Sequence, residues 1–178
     1  MQVSSKIRVR ASAILAAISW TAAVTTMALA SPAFARLPAA IAAPGQAIVA
    51  VARGEGAQIY ECKADAEGRL AWQFREPIAT LIRNDETVGR HYAGPSWAFD
   101  DGSVIIGKVA ASAPGATPRD IAWLRLDVIA HHGNGELSAV TTVQRINTEG
   151  GAMTGACKRA GAFLSVPYAA DYVFLRQP

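Results

Sequence analysis

Three observations in the sequence predict an all-β fold, an antiparallel barrel or a two-sheet sandwich. Short β-favouring runs recur between glycine-centred turns. Several of those runs alternate with period two: Leu70, Trp72 and Phe74 fall on one face, Ala71 and Gln73 on the other. Helical periodicity is nearly absent, since only "KRAGAFLS" beside Cys157 offers a turn or two and Gly161 interrupts it. Together these imply one domain of roughly seven to nine strands.

The 178-residue chain opens with a segment of different character. "MQVSSKIRVR" is basic, "ASAILAAISWTAAVTTMALA" is apolar, and "SPAFAR" places Ala33 and Ala35 in the small-x-small positions of a cleavage site. That order is expected of a secretory signal peptide over residues 1–35. The alternative is an uncleaved anchor, because the apolar run is long enough to span a bilayer; its Ala, Thr and Ser content makes it weakly apolar for that role. A Pro/Ala-rich linker follows over residues 36–46, and the β-rich domain is expected over 47–178.

Removing the leader changes the charge argument. The full chain has 17 Lys+Arg and 14 Asp+Glu, a formal charge of +3. Loss of Lys6, Arg8 and Arg10 leaves 14 against 14, so the basic excess belongs to the leader. No footprint for nucleic acid remains, and no membrane association is expected after cleavage. Cys62 and Cys157 are both in the mature part. An oxidising compartment, periplasmic or extracellular, makes a disulfide the expected state of such a pair.

The strand candidates run in order. "AIVAV" and "AQIYECK" come first, then a turn at Glu67-Gly68, then "LAWQF". After Pro77 come "IATLI", the polar "RNDET" and "VGRHYAG". "SWAFDDGSVIIGKVAASA" reads as a hairpin turning at Asp101-Gly102. "IAWLRLDVIAHHGNGELSAVTTVQRI" reads as a second, turning at Asn134-Gly135, with Leu124, Leu126, Val128 and Ala130 on one face. "VPYAADYVFL" is the last strand.

Motifs of familiar chemistry are weak. "GSVIIGK" (Gly102 to Lys108) fits G-x-x-x-x-G-K, but Val109 stands where Ser or Thr must hold magnesium and the intervening residues favour a strand. His131-His132 would point to opposite faces of a strand, so no metal site is assigned. There is no G-x-S-x-G elbow, and Asp100-Asp101 belongs to a turn. No cofactor is implied.

The densest polar cluster is "GRHYAGPSW". Read as a cleft, Arg90 forks onto a carboxylate, His91 titrates, and Tyr92 and Trp97 stack on a ring. Read as structure, Val88, Arg90 and Tyr92 share one strand face and Gly89 and His91 the other. Tyr92 and Trp97 are then core aromatics with satisfied polar tips, and Arg90 pairs with an acid. Arg145 lies on another strand able to face the same cavity. Arg90, His91, Trp97, Lys108 and Arg145 are the candidate ligand-binding residues.

"QIYECKA", "GRHYAGPSW", "DGSVIIGKV", "VQRINTEGG" and "VPYAADYVF" together resemble a family known as domain of unknown function 3455, from about Gly56 to Phe174. The resemblance implies a small exported protein and transfers no catalytic role to any residue. Dehydrogenase labels attached to similar proteins have no support here, for the strand–GxGxxG–helix unit is missing. Three functions stay open: a domain binding a small molecule or an envelope component; a metal-free hydrolase or isomerase using His91 and Arg90; and a structural envelope protein with no ligand. The sequence sets neither the ligand nor the oligomeric state.

Overall fold

The computed structural model describes residues 37–178. The expected signal peptide, residues 1–35, lies outside the described residues. Eight strands follow in order: β1 (Ala47–Ala64), β2 (Leu70–Arg83), β3 (Glu86–Tyr92), β4 (Ser96–Phe99), β5 (Val104–Ala113), β6 (Trp123–His132), β7 (Thr142–Gly150) and β8 (Phe163–Arg176). Each pairs antiparallel with the next, and β8 pairs with β1 along nearly its whole length, from Ala47↔Arg176 to Glu61↔Phe163. The meander is therefore a closed barrel, not a sandwich, and closure leaves no free sheet edge of full length. No helix of the described residues is long and apolar enough to cross a membrane.

Strand boundaries depart from the sequence reading in two places. "AIVAV" and "AQIYECK" are one strand, β1, running through Gly54 and Gly56, and "LAWQF" and "IATLI" are one strand, β2, running through Pro77. Pro77 is tolerated because β2 pairs there with Gln58 of β1, whereas its pairing with β3 begins only at Ala79↔His91. The missing N–H costs no ladder bond on the unpartnered side. Asn84 and Asp85, both at positive φ (53° and 63°), make the tight β2–β3 turn. The expected turn at Asp101-Gly102 joins β4 to β5. Asn134-Gly135, by contrast, does not make a two-residue turn. It leads into a 3₁₀ turn, Glu136–Ala139, that folds back across the end of the barrel. "KRAGAFLS" is not helical: its start is a turn and Phe163 onward is β8.

The 3₁₀ turn plugs one end. Leu137 and Val140 are fully buried there against Leu81, Phe99, Ile105, Val143 and Phe174, and each such side chain contributes about 1.5–3 kcal/mol by leaving water. Asp101, on the β4–β5 turn, holds the plug. Its carboxylate accepts from Ser103 N (2.8 Å), Ser103 Oγ (2.6 Å) and Glu136 N (2.7 Å), and Ser103 Oγ accepts from Leu137 N. Arg83 pairs with Glu136 at 2.8 Å.

A second apolar cluster lies on the outer wall. The Pro/Ala arm before β1 is seated there, with Ile41 fully buried against Ile146, Val173 and Leu175, and Gln144 Nε2 donates to Ile41 O. At the barrel end opposite the plug, the β7–β8 connection is stapled to β1 by a disulfide between Cys62 and Cys157. The same connection bonds β2 through Trp72 N to Gly155 O and Cys157 N to Leu70 O. It is also zipped to the β5–β6 connection, where Asp120 accepts from Gly150 N at 2.6 Å.

Candidate functional site

The plug fills one half of the barrel; the other half is a cavity of about 590 Å³. Its wall takes inward-facing residues from most strands, among them Gln58 and Tyr60 of β1, His91 of β3, Trp97 of β4, Arg145 of β7 and Tyr172 of β8. The mouth is framed by Phe74, Pro77, Pro95 and Val109, and by Asp120, Met153 and Thr154 from the two zipped connections. Two glycines make room for the rings inside. A Cβ on Gly54 would stand 2.5 Å from the Tyr172 ring, and one on Gly107 would stand 3.0 Å from the Trp97 indole. Bare backbone at those points lets the rings come close to the wall.

Period-two alternation puts His91 inside and Arg90 outside. His91 is 2 % exposed. Its ring stacks on Trp97 at 4.6 Å and 11° and tilts against Tyr172 at 4.9 Å. Nδ1 lies 2.8 Å from Ser96 O. A carbonyl only accepts, so Nδ1 carries the hydrogen. Burial lowers the His91 pKa from 6.5 to about 4, with the Arg145 charge adding to it and the Ser96 carbonyl opposing it. The ring is neutral at ordinary pH, and Nε2 is a bare lone pair.

Arg145 faces the same space. Its Nε and one Nη donate to Ala122 O, at 3.1 and 2.8 Å. Among the described residues the ion pairs use other cations: Arg53, Lys63, Arg69, Arg75, Arg83 and Arg125. Arg145 has no such partner. Burial lowers its pKa from the ordinary value, while the Tyr172 hydroxyl, the largest opposing influence, pulls it back up. Tyr172 itself is pushed well above 10 by burial and shares a 3.1 Å hydrogen bond with Tyr168. Asp120, the acid at the mouth, is already occupied by Gly150 N, Thr117 N and Thr117 Oγ1.

His91, Trp97 and Arg145 thus meet around one cavity, while the other two sequence candidates stand apart from it. Arg90 is exposed, and its guanidinium lies over the Tyr92 ring at 5.3 Å instead of pairing with an acid. Tyr92 is half-buried beneath it on the outer face, not in the core. Lys108 is exposed on β5, opposite Asp127. Trp97 is 1 % exposed, as a core aromatic should be, but its Nε1 has no hydrogen-bond partner among the described residues, against the expectation of a satisfied tip. Gln58, Tyr60 and Tyr172 escaped the sequence reading. The signal was present: Gln58 and Tyr60, and Tyr168 and Tyr172, sit at even spacing on faces otherwise apolar. His131, weighed as a metal ligand, instead bonds Val140 O through Nε2 at 2.7 Å.

A family model described as protein of unknown function, DUF3455, matches residues 43–87 and 82–176. The chain belongs to this family. The matched residues span all eight strands of this chain, cavity wall included. No curated protein and no solved structure matches the chain.

Proposed function

We propose that this DUF3455 barrel is an exported binding protein for a small organic anion, held in the cavity with its acid group on Arg145. The observation that carries the reading is a guanidinium without a carboxylate partner inside an aromatic-walled barrel. A buried cation is expensive to keep unless something compensates it. Ala122 O takes two of its five N–H donors, and the Tyr172 hydroxyl also approaches the guanidinium; of the three donors left, one on each terminal nitrogen makes the parallel fork suited to a carboxylate or a similar anion. The volume suits a drug-sized molecule, and Phe74, Val109, Leu124 and Met153, which keep exposed surface in the lining, supply apolar surface for its body to lie against. The basic-apolar-Ala-x-Ala leader and the disulfide support export.

A matched pair tests the reading. 3-Phenylpropanoate should raise the melting temperature of the mature protein and change its intrinsic fluorescence, whereas 3-phenylpropan-1-ol should do so at least about tenfold more weakly, one charge-assisted hydrogen bond being worth about that factor. Arg145→Gln should erase the difference. Equal binding of acid and alcohol, or an acid preference that survives in the variant, refutes it. For export, the N-terminus of protein recovered outside the cytoplasm should begin at Arg36.

A further inference from the structure

We infer that the cavity selects a hydroxylated carboxylic acid, the carboxylate on Arg145 and the hydroxyl hydrogen on His91 Nε2; the inference rests on the anion reading above and adds the second group of the ligand. It follows from counting the polar atoms of the wall. Tyr60 Oη donates to Gly151 O. Tyr168 and Tyr172 engage each other. Gln58 Nε2 and Trp97 Nε1 have no partner among the described residues but are sealed from the cavity space by their neighbours. That leaves the Arg145 N–H groups not bonded to Ala122 as donors, and His91 Nε2 and Gln58 Oε1 as acceptors on different strands of the wall.

His91 Nε2 is open where Gln58 Nε2 and Trp97 Nε1 are sealed. No hydrogen bond among the described residues uses it, and it is not one of the sealed partnerless atoms, so its lone pair gives onto the cavity that His91 lines. The ring cannot easily offer a different atom. Its Nδ1 hydrogen is tied to Ser96 O, and its faces are packed on Trp97 and Tyr172. A histidine built to take a proton from substrate would need a pKa near the working pH. This one is far below, so at neutral pH Nε2 accepts a hydrogen bond and does not carry the proton away. The wall therefore reads one anion and, at His91, one hydroxyl donor, and a deoxy ligand leaves Nε2 desolvated and unpaired.

The test is calorimetric titration of the mature protein with 3-phenylpropanoate, its 2-hydroxy, 3-hydroxy and 4-hydroxyphenyl derivatives, and the methyl ether of whichever derivative binds best. At least one hydroxy acid should bind about tenfold or more tightly than the parent acid, and its methyl ether, which keeps the oxygen but loses the hydrogen, should forfeit the gain. In His91→Phe, which keeps a ring against Trp97, the preference should fall to within about twofold. The wild-type comparison stands alone if that variant does not fold. If the parent acid binds and no hydroxy acid improves on it, the inference falls while the anion reading stands. A methyl ether that binds as well as its alcohol, or a preference that persists in folded His91→Phe, also overturns it. If no acid binds, the anion reading fails and takes this inference with it.

Discussion

Acid should unfold this barrel through His91, and in a pH window of its own. In the unfolded chain an imidazole titrates near 6.5; in the barrel it does so near 4. The folded state thus refuses a proton that the unfolded state takes up. Stability from this group is complete above about pH 6.5, falls as the pH drops towards 4, and is flat below, where both states are protonated. The gap of about 2.5 pH units, at 1.36 kcal/mol per unit, corresponds to a loss of about 3 kcal/mol. Asp101 and Asp120 have pKa values lowered by hydrogen bonds from backbone N–H groups, so their stabilising contributions disappear at lower pH, below about 3.8. Urea unfolding between pH 7.5 and 4 should therefore show a slope that is absent in His91→Phe, whatever the variant does to absolute stability. If wild type and variant have parallel pH profiles, Nδ1, Trp97, Tyr172 and Arg145 do not hold a neutral ring as described.

Three further outcomes follow from the packing. Asp101→Ala removes the acceptor of three hydrogen bonds at the plug and should cost about 1–2 kcal/mol in denaturant unfolding, with faster amide exchange at Glu136 and Leu137 and unchanged binding in the cavity. Thiol titration of the denatured, unreduced protein should find no free cysteine; reducing the Cys62–Cys157 bond, which closes a separation of 95 residues, should lower stability by up to about 4–5 kcal/mol and loosen the mouth before the plug. Gly54→Ala puts a methyl group against the Tyr172 ring and should weaken acid binding while leaving the plug end protected, an effect visible by comparing ligand titration with amide exchange.

Much of the barrel was legible because alternation is a local signal. "GRHYAG" by itself separates His91 from Arg90, and the Asp101-Gly102 turn sits where its chemistry places it. What stayed hidden was set by partners distant in sequence. Pro77 looks like a strand breaker until β3 is seen to stop short of it. Asn134-Gly135 looks like a tight hairpin turn until Asp101 and Ser103, from another turn, capture Glu136 and Leu137 and draw the segment over the barrel end. The closure of β8 on β1 leaves no mark in either strand, which is why sandwich and barrel could not be separated. The site followed the same rule. Arg145 could be nominated as a cation on a strand; that it would find no acid, and that Arg90 would rest on Tyr92, depended on which faces the closed sheet turns inward.

The plug makes the barrel a flask and not a pipe. Whatever occupies it must leave by the neck through which it came, since Leu137 and Val140 stop the far end. A second molecule cannot push the first out from behind. Exchange should therefore proceed at a rate set by departure alone, indifferent to how much competitor waits outside, and a tenant gripped at its acid end would trade places slowly even when its successor is abundant.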